Sequence, residues 1–143
     1  MGSATSGWHG NERVWHFALW SAQLLLAGFF AAMALMKLLT APEQLIETAA
    51  WADRVPAWLV YMLGGLELIG ALLVAAPAVT PTPQRIVGVT ALAFMALMVA
   101  AAIVHVGRGD LRMLPINFGV AALAAFVAWG RLLHRPLEID GRY

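Results

Sequence analysis

Four long apolar runs, Trp15–Leu39, Ala57–Ala76, Gln84–Val106 and Pro115–Leu133, leave this chain few ways to fold. Each is about the 20 residues that a helix needs to cross a hydrocarbon core of roughly 30 Å. No water is on hand inside a bilayer to satisfy peptide groups, so a spanning segment is a helix or a strand of a closed barrel. Barrel strands alternate polar and apolar residues, and these runs do not. The expectation is an all-α integral membrane protein, a four-helix bundle that passes the cell membrane four times in contact with lipid. Composition agrees: 62% of residues are hydrophobic and 12% charged, against nearer half and a quarter in soluble domains.

Composition also narrows function. The net charge is +1 and no basic stripe exists, so there is no case for a nucleic-acid partner. The absence of cysteine removes thiolate catalysis, disulfide exchange and iron–sulfur ligation by this chain. His9, His16, His105 and His134 are scattered, without HxxxH or ExxH spacing, so no metal site is expected. A single axial haem ligand at His105 stays open. Gly-rich phosphate loops and nucleophile elbows are missing.

The punctuation between the runs sets the organisation. Residues 1–14 read as a polar tail, 15–133 as the transmembrane domain and 134–143 as a second tail. Met1–Gly10 lacks a basic region ahead of a short apolar one, so the first run reads as a retained helix and not a signal peptide. Thr40-Ala41-Pro42-Glu43 has capping-box spacing. After it, Leu45, Ile46, Ala49 and Ala52 share one face opposite Glu43, Gln44, Glu47 and Thr48. This predicts a short amphipathic helix on the membrane surface between helices one and two, with an ordinary loop as the alternative. Thr82-Pro83 suits the start of helix three and Gly107 a left-handed cap at its end.

Tryptophan marks both interfaces, Trp15 and Trp129 at one level and Trp51 and Trp58 at the other. The side bearing both termini carries Arg13, Arg85, Arg131, Arg135 and Arg142, against Lys37, Arg54, Arg108 and Arg112 opposite. The excess of basic residues places both termini in the cytoplasm.

Ionisable residues are expensive inside a bilayer and call for a functional hypothesis. Lys37 lies near the end of helix one, with Gln23 fourteen residues earlier on the same face. Snorkelling to the interface is its plain alternative. Glu67 lies mid-helix, flanked by Gly64, Gly65 and Gly70, and requires protonation or a cationic partner. Its alternative is a protonated carboxyl bonding two helices. His105 closes helix three beneath Met98, and Asn117 opens helix four; interfacial hydrogen bonding and capping are their alternatives. Lys37, His105 and Asn117 share the side opposite the termini. Glu67, eleven residues into its run, lies roughly 16 Å from that surface at 1.5 Å per residue. A compact bundle brings the four toward one pocket open to that side, with Arg108, Asp110 and Arg112 at its rim.

In that pocket Glu67, Lys37 and His105 are the candidate catalytic residues. Asn117, Gln23 and Met98 are the candidate substrate-binding residues. Glu67 would exchange a proton, Lys37 would tune it or hold an oxyanion, His105 would relay to the surface and Asn117 would orient a carbonyl. The substrate would be a lipophilic small molecule, quinone-like in a redox reaction, or apolar in an isomerisation or epoxide opening. Two other readings stay open. One is an assembly protein whose polar cluster is a latch and whose helix faces recruit a membrane partner. The other is a small carrier that must form a homo-oligomer, for which Ala96/Ala100, Ala121/Ala125 and Ala124/Ala128 offer small-residue faces.

Several segments together resemble the DoxX-like family of four-helix membrane proteins. They are Gly28 to Lys37, Pro56-Ala57-Trp58-Leu59, Gly65-Leu66-Glu67-Leu68-Ile69-Gly70-Ala71-Leu72, the helix ending at His105, and Pro115-Ile116-Asn117. The resemblance runs from about Trp15 to Arg131. It implies a link to quinone reduction, to membrane redox-stress complexes or, for some relatives, to chaperone or cargo-receptor work. It singles out the same Lys37, Glu67, His105 and Asn117. The sequence fixes no cofactor; quinone is the candidate the resemblance supplies. Without cysteine or a facing histidine pair, a redox role needs a diffusible cofactor or a partner.

Overall fold

The computed structural model describes residues 6–48 and 50–134, with side chains from Arg13 onward except at positions 42, 48 and 50. Ala49, the His9 side chain, Arg135, Arg142 and most of the expected C-terminal tail lie outside the described residues. Among the described residues five α-helices follow one another: α1 (Ser6–Leu39), α2 (Pro42–Thr48), α3 (Ala57–Ala75), α4 (Gln84–Gly107) and α5 (Leu114–Trp129). A 3-10 turn, Ala50–Arg54, follows α2, and α5 runs into a π-helical turn, Gly130–His134.

Among the described residues, four spans of 27, 22, 24 and 24 residues are long and apolar enough to cross a membrane. At 1.5 Å per residue each exceeds the roughly 30 Å hydrocarbon thickness. Their outward side chains, including Leu24, Leu66, Ile69, Leu72, Ile103 and Phe118, are more than half exposed. An aqueous protein could not tolerate so apolar a surface; lipid makes it the natural exterior. The chain is a multi-pass membrane protein, and its all-helical bundle with a short helix between spans one and two is the architecture expected from sequence.

Because lipid is as apolar as leucine, packing between these helices rests on close fit. α1 packs along α3 and α4 along α5, and the two pairs meet around Leu26, Phe30, Val74, Val87, Phe94 and Val127. Phe30 and Phe94 stack with ring centroids 3.6 Å apart, closing the middle of the bundle. Glycines admit the nearest approaches. A Cβ at Gly64 would lie 3.3 Å from the Ala34 carbonyl on α1, and one at Gly130 would collide with the Leu19 side chain. Of the three glycines flanking Glu67, Gly64 meets α1 and Gly70 meets Phe94 of α4, whereas Gly65 faces open space.

Several helix ends fall elsewhere than expected. α2 opens at Pro42, with the Ala41 carbonyl accepting from the Gln44 and Leu45 N–H groups at 3.0 and 2.9 Å. Ala41, not Thr40, therefore holds the capping position, and proline's fixed φ at the first helical residue sets that register. Leu45 and Ala52 are buried, but Ile46 is 40% exposed, so the apolar face is narrower than the periodicity suggests. α4 begins at Gln84, where its apolar run does, but with Pro83 and not Thr82 in the capping position and the Thr82 hydroxyl turned to Thr80.

The left-handed cap of α4 is Gly109, with φ 74°, and not Gly107. Gly109 N–H donates to the Val106 carbonyl and Asp110 N–H to the His105 carbonyl, both at 3.0 Å. This is a complete Schellman closure, and it carries the helix one further half-turn toward the loop. Ala124 and Ala128 are fully buried inside the bundle, so that pair serves intrachain packing and is no oligomer face.

Candidate functional site

The seam between the α1/α3 and α4/α5 pairs opens, on the side away from the termini, into a cavity of about 1290 Å³. Its apolar wall includes Phe29, Met33, Leu97 and Met98. Its polar lining includes Lys37, Glu67, His105 and Asn117, and Arg54, Arg108, Asp110 and Arg112 sit at its mouth. The four polar residues that topology brings toward one pocket thus line one cavity, and Met98 lines it with them.

Helix periodicity explains the convergence. On α1 the inward face repeats at Gln23, Phe30 and Lys37, seven residues apart. Gly64 lets α3 approach α1 so closely that a Cβ there would lie 3.0 Å from the Lys37 Cβ, and Glu67, three residues on, shares that face. The Lys37 ammonium donates to Glu67 Oε2 at 2.7 Å, with side chains 8% and 6% exposed. Lys37 also lies 3.5 Å from the Met33 carbonyl and 6.0 Å from the Trp51 ring. Lys37 therefore points inward to a carboxylate instead of snorkelling, because a buried charge is tolerated when it is paired. The pair crosses from α1 to α3 in the wall of the cavity.

Asn117 is 7% exposed and its Nδ2 has no hydrogen-bond partner. A buried donor left open is unusual and unfavourable by roughly 1–3 kcal/mol, so an acceptor arriving in the cavity gains from meeting it. Toward the mouth, His105 Nδ1 lies 3.5 Å from Asp110 Oδ2, and Arg112 Nε donates to Asp110 Oδ1 at 3.3 Å. Arg108 donates to Asp53 Oδ1 at 3.0 Å, tying the end of α4 to the 3-10 turn that follows α2. Arg54 has no ion-pair or hydrogen-bond partner among the described residues.

Gln23 does not line the cavity, which corrects its placement among the substrate-binding candidates. It lies two helical repeats from Lys37, beyond the Phe30–Phe94 stack. Its Nε2 donates to the Val74 carbonyl at 2.6 Å and its Oε1 accepts from Arg131 Nε at 2.8 Å. Arg131 was expected at the termini-side surface. It is instead 2% exposed, with its guanidinium 5.3 Å from the Trp20 ring centroid. The signal was present: Arg131 follows Ala124 by seven residues and Val127 by four, and both are buried. Gln84, also buried, falls on the α4 face of Val87 and Ala91 by the same spacing.

The bundle thus holds two polar centres separated by an aromatic layer, one lining an open cavity and one closed. The family comparison is consistent with this frame. The DoxX-like family model matches residues 21–127, which contain Lys37, Glu67, His105 and Asn117 but stop short of Arg131. Neither a curated protein nor a solved structure matches the chain. Four membrane-spanning helices and a family match over well over half of the sequence lead to one conclusion: the chain belongs to the DoxX-like family.

Proposed function

We propose that this protein is a membrane-embedded enzyme, or a subunit of one, that moves a proton on a lipophilic small molecule held in the cavity. The observation that carries the reading is the Lys37–Glu67 pair at 2.7 Å in the wall of a large apolar cavity that also holds the open Asn117 donor. Ligand sites are concave and mostly apolar, with a few polar groups that fix orientation. Glu67 accepts or gives the proton, and Lys37 holds it ionised or stabilises an oxyanion. Asn117 donates to a carbonyl or similar oxygen. His105, 3.5 Å from Asp110 at the mouth, relays protons to the surface.

A quinone-like substrate fits the Asn117 donor, and its electrons would come from a partner or a diffusible donor. An isomerisation or epoxide opening would use the same residues without one. A second reading has support of its own: both polar centres bridge helices, so the Lys37–Glu67 pair could serve as a latch in an assembly protein.

The orientation we propose keeps both termini in the cytoplasm of a cell-membrane protein. Lys37 and Arg131 are both buried, and both drop out of the charge comparison together. The termini side still carries the larger number of basic residues.

Infrared difference spectroscopy on reconstituted protein tests the proton role. Adding a hydrophobic benzoquinone should perturb a carboxyl or carboxylate band that Glu67→Gln lacks. Identical difference spectra from wild type and variant would remove Glu67 from the chemistry.

A further inference from the structure

The mouth of the cavity carries an open guanidinium that the proton-transfer reading leaves unused. Inside, Lys37 and Glu67 neutralise each other at 2.7 Å. Arg54, Arg108, Asp110 and Arg112 line the mouth, and Asp53 stands beside Arg108. Arg108 pairs with Asp53 and Arg112 with Asp110, and Arg54 is left without a partner among the described residues. Arg54 is thus the guanidinium at the mouth that stays open to a ligand. It stands at the entrance to an apolar chamber whose wall carries Phe29, Met33, Leu97 and Met98.

We infer that the cavity takes a long-chain carboxylate, with its head at Arg54 and Arg108 and its chain running inward toward Leu97 and Met98. The inference rests on the reading of this cavity as a ligand site. A planar guanidinium matches a carboxylate with two parallel hydrogen bonds. One open guanidinium is matched by a singly charged carboxylate, whereas a phosphate monoester brings about −1.5 to −2 at neutral pH.

The depth is right as well. Trp51, an expected interfacial residue, lines the same mouth, so the head would sit at headgroup level and the chain at hydrocarbon level. The volume of about 1290 Å³ exceeds the roughly 300–1,000 Å³ of ordinary small-molecule pockets, leaving room for a chain. Methionines adapt to a flexible chain better than branched side chains do. Asn117, 7% exposed with its Nδ2 open, lines the same chamber and gives it a further hydrogen-bond donor. A neutral molecule would fill the chamber and leave Arg54 as it is.

The test is equilibrium binding of radiolabelled stearate to the full chain in nanodiscs at pH 8, with empty nanodiscs subtracted. Unlabelled stearate, octadecanol and a decyl-substituted benzoquinone serve as competitors. Stearate should bind saturably and be displaced at least tenfold better by itself than by either neutral competitor. Arg54→Gln should weaken stearate about tenfold, the scale of one lost charge-assisted contact, while Arg85→Gln on the opposite side leaves it unchanged. Melting curves of both variants certify their folds.

Equal displacement by octadecanol or the quinone, or unchanged stearate binding in Arg54→Gln, overturns the carboxylate class. In those cases the reading of the cavity as a ligand site stands. If none of the three compounds binds saturably to protein that melts normally, both inferences fail.

Discussion

Lys37→Leu should lower the stability of the purified protein more than Glu67→Leu does. The two side chains are 8% and 6% exposed and 2.7 Å apart, so each is the other's compensation. Breaking a buried pair from one side costs about 3–5 kcal/mol, because the orphaned group remains buried. The two orphans differ in their escape. Lys37 lies two residues from the end of α1, and its long stem can turn to the interface once Glu67 is gone. Glu67 lies ten residues inside α3 on a short side chain and has no such route. We expect the larger loss, about 3–5 kcal/mol, for Lys37→Leu and about 1–2 kcal/mol for Glu67→Leu. The double variant should fall within about 1 kcal/mol of wild type, since an apolar pair removes both burial penalties. Thermal melts in one detergent compare all three. Equal losses for the single variants would argue that the pair does not govern this site's stability.

The second centre predicts a similar asymmetry. Arg131 is 2% exposed, and among the described residues its Nε hydrogen bond to Gln23 Oε1, at 2.8 Å, is its one polar contact beside the Trp20 ring. Gln23→Leu leaves a buried guanidinium without that acceptor and opens the Val74 carbonyl as well. A loss of about 3–5 kcal/mol is expected. Arg131→Met leaves only neutral groups unsatisfied, so about 1–3 kcal/mol should suffice. Combining the two should recover much of the loss, and a double-mutant cycle measures the coupling. Simple additivity would show that the two side chains do not act as a unit. Neither variant touches the cavity, so ligand binding should survive in both wherever the fold does.

The spans were legible because lipid leaves a spanning backbone few options and the apolar runs have spanning length. The convergence of Lys37, Glu67, His105 and Asn117 was legible for a related reason: rare polar residues at known depth on neighbouring helices can meet in few places. Depth alone misled for Gln23, which shares a face with Lys37 but lies two helical repeats away and meets a different partner.

Arg131 was hidden by its neighbourhood. An arginine near a helix end reads as an interfacial anchor, and only the heptad relation to Ala124 shows that it faces inward. Helix ends were missed at Thr40, Thr82 and Gly107 because proline geometry and the Schellman closure moved each boundary by one or two residues, which hydropathy does not register. The split of the polar residues into two centres depends on the Phe30–Phe94 stack, a contact between α1 and α4 that no local pattern encodes.

The most direct test of the account is mass spectrometry, with an absorbance spectrum, on the organic extract of purified wild-type protein and of Glu67→Gln. The wild-type extract should hold a lipophilic molecule that is absent or strongly depleted in the variant, with both proteins folded by their melting curves. The same molecule at the same occupancy in both, or no lipophilic ligand in either, would contradict a ligand site built on Glu67 and leave the Lys37–Glu67 pair as a latch between helices.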